Sequence, residues 1–242
     1  MLIEDCCESM GAKYKDKYVG SFGRVASFSF YFSHHITTLE GGICVTNDHD
    51  LSEMMRIVRA HGWVRQVENK SKWTEKYKNF DPKFLFVNDG YNLRITEPQA
   101  SMGLIKIDKI DEFINSRRKN AKKYYEKLIS LGEFFSFQTT TANSENSHFG
   151  FPLIVKNNKY FNRNEICLYL NNCGIETRPI IAGNLARQPA NSLFEHRISG
   201  ELINSDNIMD NGFSVGVHQS LTDSAIDYVI CKINDFVSEK TK

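Results

Sequence analysis

An apolar stripe at helical spacing runs through the middle of this 242-residue chain for more than thirty residues. It begins after Thr96, and Gln99 three residues later completes the signature of a helix capping box. The stripe is carried by Leu104, Ile107, Ile110, Ile114, Ala121, Tyr124 and Leu128. We therefore predict a long helix over about 96–130 that links two parts of the chain, 1–115 and 132–242.

Both parts mix strands with helices, which indicates an α/β fold class. Before the linking helix, a hairpin is predicted over 13–17, strands over 26–31 and 43–46, a helix over 50–60 and an irregular segment over 63–90. After it, strands are predicted over 149–155 and 175–178, a helix over 163–173 and a final helix after Thr222. The second part therefore resembles a small C-terminal α/β domain.

Composition excludes several function classes. Thirty basic and 29 acidic residues give a net charge of +1, so charge provides no drive toward nucleic acid. No apolar run approaches the roughly 20 residues that cross a bilayer, and the first residues lack a signal-peptide pattern, so we expect a cytoplasmic protein. The six cysteines form no Cys-x-x-Cys pair, and we expect neither a disulfide framework nor a metal site.

Two segments near the start carry residues suited to cofactor chemistry. Asp5 follows a strand, with Glu8 three residues later, and the carboxyl ends of strands are where α/β proteins bind ligands. Ser29 lies in a predicted strand, and His34 lies in the loop after it, ahead of Gly41. The serine hydroxyl could bind a phosphate, the histidine could act as a base, and the glycine lets the backbone approach a ligand closely. Taken alone, each feature is better explained by an ordinary structural role: an aspartate that caps a turn, and a histidine on the surface or satisfied in the core.

Three further segments contain possible anion-binding groups. They are 59–65, which contains Arg65; 90–100, which contains Asn92; and 176–189, which contains Arg178 and Arg187. Arginine near the end of a helix also complements the helix dipole, polar residues before a helix also cap it, and the arginines of the third segment can be ordinary solvated surface charge. For each segment by itself, these ordinary structural roles are favoured.

In this order, the segments resemble the DegT-type sugar aminotransferases, which are pyridoxal-phosphate (PLP) enzymes of fold type I. The resemblance is carried by Glu4-Asp5, Gly11-Ala12-Lys13-Tyr14, Phe28-Ser29-Phe30, Val45-Thr46-Asn47-Asp48, Arg59-Ala60-His61-Gly62 and Gly90 to Ala100. It implies an aspartate-aminotransferase-like fold, with 1–115 as the C-terminal part of the large PLP-binding domain and 132–242 as the small domain. It also implies that the N-terminal part of the family fold is missing.

One departure separates this chain from the aminotransferases of the family. Where they have a catalytic lysine, this chain has His34, within Ser33-His34-His35 and ahead of Glu40-Gly41-Gly42. A lysine amine binds the coenzyme aldehyde covalently, whereas an imidazole remains a base and does not. The histidine form resembles the sugar 3-dehydratase branch, and because 59–97 contains no cysteine, the resemblance favours the branch without an iron–sulfur cluster.

The resemblance implies removal of the C3 hydroxyl from a nucleotide-linked 4-keto-6-deoxy hexose, with PLP or its amine form as cofactor and L-glutamate as amino donor. It places His34 as the catalytic base; Asp5, Glu8, Ser29 and Asn92 at the cofactor; and Arg65, Arg178 and Arg187 at the substrate. GDP is favoured over CDP, the site is expected at a homodimer interface, and the products enter dideoxysugar and lipopolysaccharide O-antigen biosynthesis. The alternatives are a nucleotide-sugar aminotransferase of the same family and a truncated, non-catalytic fragment.

Overall fold

A computed structural model describes residues 1–242 and divides them into two units, Met1–Ile110 and Asp111–Lys242. The first unit contains the candidate residues before the linking helix, and the second contains Arg178 and Arg187. The boundary therefore falls within the predicted linking helix, at Ile110–Asp111, and ahead of the predicted boundary at 115–132. Both units combine strands with helices, which confirms the α/β class.

Five short strands form the sheet structure of the first unit. They are β1 (Ile3–Asp5), β2 (Lys13–Tyr14), β3 (Lys17–Tyr18), β4 (Val25–Ser29) and β5 (Gly42–Val45). β4 is central, with β1 parallel on one side and β5 antiparallel on the other. β2 and β3 form the predicted hairpin, with Lys15 and Asp16 in the left-handed turn conformation that such a tight connection requires. The strands predicted over 26–31 and 43–46 are confirmed with shifts of one or two residues.

Helix α1 (His49–Val58) follows β5 and begins where Asp48 accepts a hydrogen bond from the Leu51 N–H at 3.0 Å. The segment predicted to be irregular contains α2 (Lys70–Thr74) and two 3₁₀ turns, Val64–Gln66 and Pro82–Phe84. Ile57, Val64, Val67 and Leu85 pack into a small core beneath α1. This core holds the segment that contains Trp63 and Arg65 against the helix.

The predicted continuous helix over 96–130 is wrong, because the structure contains two helices, α3 (Glu97–Ile107) and α4 (Ile110–Leu128). The Lys109 N–H bonds the Lys106 carbonyl at 3.0 Å, three residues back, so the chain tightens into a turn there. The predicted cap is present in part, since the Thr96 N–H donates to the Gln99 side chain at 3.0 Å. Even the 19-residue α4 is too polar to cross a bilayer, and no other helix among residues 1–242 meets both the length and the apolar requirement.

The second unit places three helices against an antiparallel sheet. Its further elements are β6 (Phe135–Phe137), β7 (Ser144–Glu145), β8 (Gly150–Val155), α5 (Arg163–Asn172), α6 (Ile203–Asn211), β9 (Gly212–Gly216) and α7 (Asp223–Lys240). β8 lies between β6 and β9, and residues of α4, α5 and α7 join the sheet in one large apolar core. Tyr124, Leu153, Phe213 and Ile233 are fully buried in it. The helix predicted over 163–173 and the Thr222-capped final helix are confirmed.

The strand predicted over 175–178 is wrong. Only Arg178 pairs with a strand, through an isolated bridge to Ser214 of β9. The Thr177 N–H donates instead to the side-chain oxygen of Asn171 at 3.1 Å, so a local polar group satisfies the backbone that a sheet would otherwise pair.

Candidate active site

Asp5 and two serines share one face of the first unit's sheet. Asp5 and Ser27 are directly opposite in the parallel pairing of β1 and β4, and Ser29 lies two residues further along the same strand. The Ser27 hydroxyl lies 3.4 Å from Asp5 Oδ1, and the Cys7 N–H donates to that oxygen at 3.1 Å. The Asp5 carboxylate is therefore fixed at the carboxyl end of its strand, as predicted for a ligand site.

His34 lies in the loop between β4 and β5 and is bonded to the segment that follows β1. Its Nδ1 lies 2.7 Å from the main-chain carbonyl oxygen of Cys7. Because a carbonyl can only accept, Nδ1 carries the proton, and in the neutral ring Nε2 is the nitrogen with the lone pair. The Tyr31 ring lies edge-on to the imidazole, with centroids 6.3 Å apart. The fold thus selects the tautomer in which Nε2 can act as a base.

Asp5, Glu8 and His34 are close enough to influence one another electrostatically. Hydrogen bonds from Cys7 and Ser27, together with the His34 ring, hold the pKa of Asp5 below its ordinary value. The surrounding atoms remove water from the Glu8 carboxyl group and raise its pKa, while His34 opposes that rise. Two carboxyl groups with opposite pKa shifts therefore interact electrostatically with one imidazole, an arrangement typical of acid–base sites.

The loop that contains His34 is closed at both ends by backbone bonds. The Phe30 N–H donates to the Gly41 carbonyl at 2.9 Å, and the Thr38 N–H donates to the Phe30 carbonyl at 2.8 Å. Ser29 immediately precedes this loop, pairs with Gly42, and accepts the Tyr31 N–H on Oγ at 3.2 Å. Ser29 and His34 are thus held on one ordered connection, with the serine hydroxyl at the end of β4.

The two segments containing Arg59–Gly62 and Gly90–Asn92 pair with each other, although they are separated by about thirty residues in the sequence. The Leu93 N–H donates to the Arg59 carbonyl at 2.9 Å, and the His61 N–H donates to the Tyr91 carbonyl at 2.8 Å. The approach requires glycine, because a Cβ at Gly62 would lie 1.6 Å from the Asn88 carbonyl oxygen. Their role is therefore more than the helix-dipole and capping interactions that the separate segments suggested.

A small pocket beside this pairing contains Arg65 and Arg94. It is lined by Ala60, Trp63, Arg65, Gln66 and Arg94. The Arg65 guanidinium lies 4.9 Å from the centre of the Trp63 ring, and Arg94 donates to Asn92 Oδ1 at 3.1 Å. The structure thus brings predicted residues Arg65 and Asn92 to one place in the first unit, with Arg94 between them.

Arg178 and Arg187 both belong to the second unit, and each is bound to a carboxylate. Arg178 donates to Glu176 at 2.6 Å, and Arg187 donates to Asp206 at 2.7 Å. The bonds from Arg187 and Asn184 hold the pKa of Asp206 at about 2. Their contact with substrate anions stays a prediction. To make that contact, each arginine would have to release its present carboxylate partner.

The sequence match decides the family. The model of the DegT/DnrJ/EryC1/StrS aminotransferase family matches residues 1–234, nearly the whole chain. This chain belongs to the DegT/DnrJ/EryC1/StrS family.

Characterised relatives within the DegT family are similar along almost all of this chain. It is 35% identical over 247 aligned residues to the lipopolysaccharide biosynthesis protein RfbH of Salmonella typhimurium, covering 97% of this chain and 56% of that protein. It is 39% identical over 222 residues to GDP-4-keto-6-deoxy-D-mannose 3-dehydratase of Yersinia pseudotuberculosis, covering 90% and 56%. The chain therefore spans about 56% of the length of these relatives.

A solved structure supports the fold assignment. A crystal structure of GDP-4-keto-6-deoxymannose-3-dehydratase with a trapped PLP-glutamate geminal diamine superposes with a TM-score of 0.81 at 33% identity, covering 93% of this chain and 58% of that one. The predicted fold, a partial PLP-dependent aspartate-aminotransferase-like fold, is confirmed. The assignment of each unit to the large or the small domain stays a prediction.

The donor set around His34 fits a pyridine-ring cofactor of the kind used in the DegT family. A carboxylate with a lowered pKa stays ionised at neutral pH and matches a protonated ring nitrogen, which is the role predicted for Asp5. The Ser29 hydroxyl at the end of β4 can donate to a phosphate oxygen. The fit rests on the charge and hydrogen-bonding capacity of these side chains.

Sequence reasoning missed the structural role of Glu4. Its carboxylate accepts backbone N–H groups from Gly20 and Phe22 at 2.7 Å each, and also from Gly23. Although loss of water opposes the effect, these three donors hold the pKa of Glu4 below its ordinary value. Glu4 thus ties the loop ahead of β4 to β1 from the opposite side to Asp5, and only the adjacency of two acids at a strand end signalled it.

Proposed function

We propose that the chain provides the base and the ring-nitrogen partner of a PLP- and pyridoxamine-phosphate-dependent nucleotide-sugar 3-dehydratase. The reaction removes the C3 hydroxyl of a GDP-linked 4-keto-6-deoxy hexose, with L-glutamate as amino donor, in dideoxysugar and lipopolysaccharide O-antigen biosynthesis. The single observation that carries the proposal is His34, an imidazole at the family's lysine position, held through Nδ1 by the Cys7 carbonyl and interacting electrostatically with Asp5 and Glu8. The names of the relatives support the same substrate class.

Asp5 and Ser29 would hold the cofactor. When bound, PLP supplies an aldehyde that accepts an amino group and a protonated ring that withdraws electrons from the neighbouring carbon. The ionised Asp5 carboxylate would keep the ring nitrogen of the bound cofactor protonated, because an anion paired with that nitrogen stabilises the cation. Ser29 would bind the phosphate, and Asn92 would reach the phosphate of a neighbouring subunit's cofactor.

His34 would move the proton that elimination requires. In the tautomer fixed by the Cys7 carbonyl, Nε2 is the proton acceptor. The imidazole does not capture the aldehyde covalently as a lysine would, so an amino group held by the cofactor stays available to a keto sugar. Glu8, whose carboxyl group has a raised pKa and interacts electrostatically with His34, would donate to the leaving hydroxyl or to the cofactor ring hydroxyl.

The substrate contacts and the assembly remain predictions. Arg65 would bind a substrate anion from the pocket it shares with Arg94, and Arg178 and Arg187 are proposed for the same purpose in the second unit. A homodimer with shared sites is proposed, and exposed apolar side chains on α3 offer surface for such contact, with Leu104 71% and Ile105 66% exposed. A cytoplasmic location is proposed with it.

A product assay tests the proposal. The purified chain is incubated with PLP, L-glutamate and GDP-4-keto-6-deoxymannose, and ammonia and sugar products are measured. Ammonia released in proportion to a 3-deoxygenated sugar is expected, and it should disappear in His34→Asn. An aminated sugar without ammonia would identify the aminotransferase alternative, and failure to bind PLP would identify the non-catalytic one.

A further inference from the structure

A histidine and two glutamates outside the proposed site converge near the N-terminal end of α1. His49 and Glu53 are four residues apart on that helix and therefore share a face. Glu68 reaches the same place from the segment after the 3₁₀ turn Val64–Gln66. One ligand atom from each of the three lies within 4.8 Å of the others, and His49 Nε2 is 3.6 Å from Glu68 Oε2.

The Glu53 carboxyl group is the unusual member of this cluster. The residue is only 5% exposed, whereas the side chains of His49 and Glu68 are both largely exposed. Glu53 Oε1 accepts the Glu68 N–H at 3.0 Å, but Oε2 is buried and accepts no hydrogen bond. A buried carboxylate oxygen without a donor is costly, so its retention points to a cation that binds there.

Arg56 neutralises only part of the negative charge of the two glutamates. Its guanidinium lies 2.7 Å from Glu68 Oε1 and 3.7 Å from Glu53 Oε1. Two carboxylates against one guanidinium leave one negative charge, with the imidazole nitrogen still directed at Glu68. The cluster therefore combines net negative charge with nitrogen and oxygen donors, the ligand types of borderline divalent metals.

We propose that His49, Glu53 and Glu68 form a binding site for a divalent transition-metal ion of the zinc class. The ion takes one imidazole nitrogen, one oxygen from each carboxylate and a water molecule, and Arg56 is the counterion that it displaces. It joins α1 to the segment that contains Arg65, three residues before Glu68. The proposal departs from the sequence-based expectation of no metal site, and it does not depend on the dehydratase activity.

Cobalt titration of the full chain without PLP tests the site, because Co²⁺ reports its ligands by absorption. One saturable Co²⁺ per chain is expected, with visible d–d bands that Zn²⁺ abolishes. His49→Ala should weaken binding at least tenfold, while the same change at the exposed His196 should not. Absence of saturable binding, equal binding by His49→Ala, or bands dominated by thiolate charge transfer would each overturn the proposal.

Because variants of the buried Glu53 can fail to fold, two variants at the more exposed residues Glu68 and Arg56 also test the site. Glu68→Gln should weaken Co²⁺ binding about as much as His49→Ala. Arg56→Gln should tighten it about tenfold, because the competing cation is gone; unchanged or weaker binding would contradict the displacement of Arg56. Zn²⁺ should also raise the melting temperature of the wild-type chain but not of His49→Ala, since only a ligand of the native state stabilises it.

Discussion

His34 Nδ1 lies 2.7 Å from the main-chain carbonyl of Cys7, and this bond links the loop after β4 to the end of β1. The acceptor is backbone, so the bond depends on the path of the chain rather than on the Cys7 thiol. The same segment donates the Cys7 N–H to Asp5. One short stretch of backbone therefore sets both the tautomer of the proposed base and the position of the proposed ring-nitrogen partner.

Restoring a lysine at residue 34 should change how PLP is held. In His34→Lys, the side-chain amine can bond covalently to the cofactor aldehyde, so a new visible absorption band should form on mixing with PLP and should disappear on borohydride reduction. Ser33→Lys adds the same amine one residue away and should give no comparable band. Identical spectra for the two variants would mean that residue 34 does not face the cofactor.

Neutralising Asp5 should weaken cofactor binding. Asp5→Asn removes the anion paired with the protonated ring nitrogen, and loss of one charge-assisted hydrogen bond of about 1.5–3 kcal/mol corresponds to roughly 10- to 100-fold weaker PLP binding. Asp16→Asn, in the hairpin turn, is the matched control and should bind normally. Fluorescence titration with PLP measures both, and equal affinities would remove Asp5 from the site.

The pattern of residues predicted β4 and the end of β1 well, because alternating aromatic and serine residues fix the faces of a short strand. It could not predict the contact of His34 with Cys7, since a backbone carbonyl has no sequence signature. It also joined α3 and α4 into one helix, because the apolar spacing continues across Asp108 and Lys109 while the backbone tightens there. Periodicity identifies which side chains share a face of a helix, but not where one helix ends and the next begins.

The pairing of Arg59–Gly62 with Gly90–Asn92 was beyond sequence reasoning for a different reason. Each segment had a sufficient local explanation, helix-dipole complementation for the first and capping for the second, and only the hydrogen bonds between them show that they pair. The glycines were the available signal, because two of them in polar segments indicate close backbone approach.

Substituting Gly62 should destabilise the first unit strongly. Gly62 has φ +82°, and an added Cβ would overlap the Asn88 carbonyl, so Gly62→Ala combines a left-handed penalty of about 1–2 kcal/mol with a steric one of similar or greater size. Gly174→Ala, at φ +75° with nothing within 4 Å, isolates the first contribution. Urea unfolding should show the larger loss for Gly62→Ala, and equal losses would contradict the overlap.

The Asp206–Arg187 pair should make stability depend on acid pH. The pKa of Asp206 is held at about 2 in the folded chain against an ordinary 3.8, so its contribution is complete above pH 3.8 and is lost as the pH falls toward 2. Asp206→Asn should therefore be less stable than wild type at pH 6, with the difference shrinking below pH 3.8. Asp210→Asn, on the same helix, is the control, and a gap that persists at pH 2 would contradict the ion pair.

Arg117 should be a stability determinant of the second unit. It is 1% exposed, and it donates to Gln219 Oε1 at 2.9 Å and to the carbonyls of His148 and Phe149 at 3.2 and 3.1 Å. Burial lowers its pKa to about 10, so it remains a cation at neutral pH, stabilised by acceptors rather than by a carboxylate.

Arg117→Lys keeps the charge but cannot reproduce the planar array of donors, and we expect a loss of about 2–4 kcal/mol in the free energy of unfolding. Lys119→Arg, the reverse exchange at an exposed position two residues along α4, should change stability by less than about 0.5 kcal/mol. Denaturant unfolding followed by circular dichroism measures both variants. If Arg117→Lys left the free energy of unfolding unchanged, the carbonyls of His148 and Phe149 would not require a guanidinium. A buried positive charge would then be sufficient at this position.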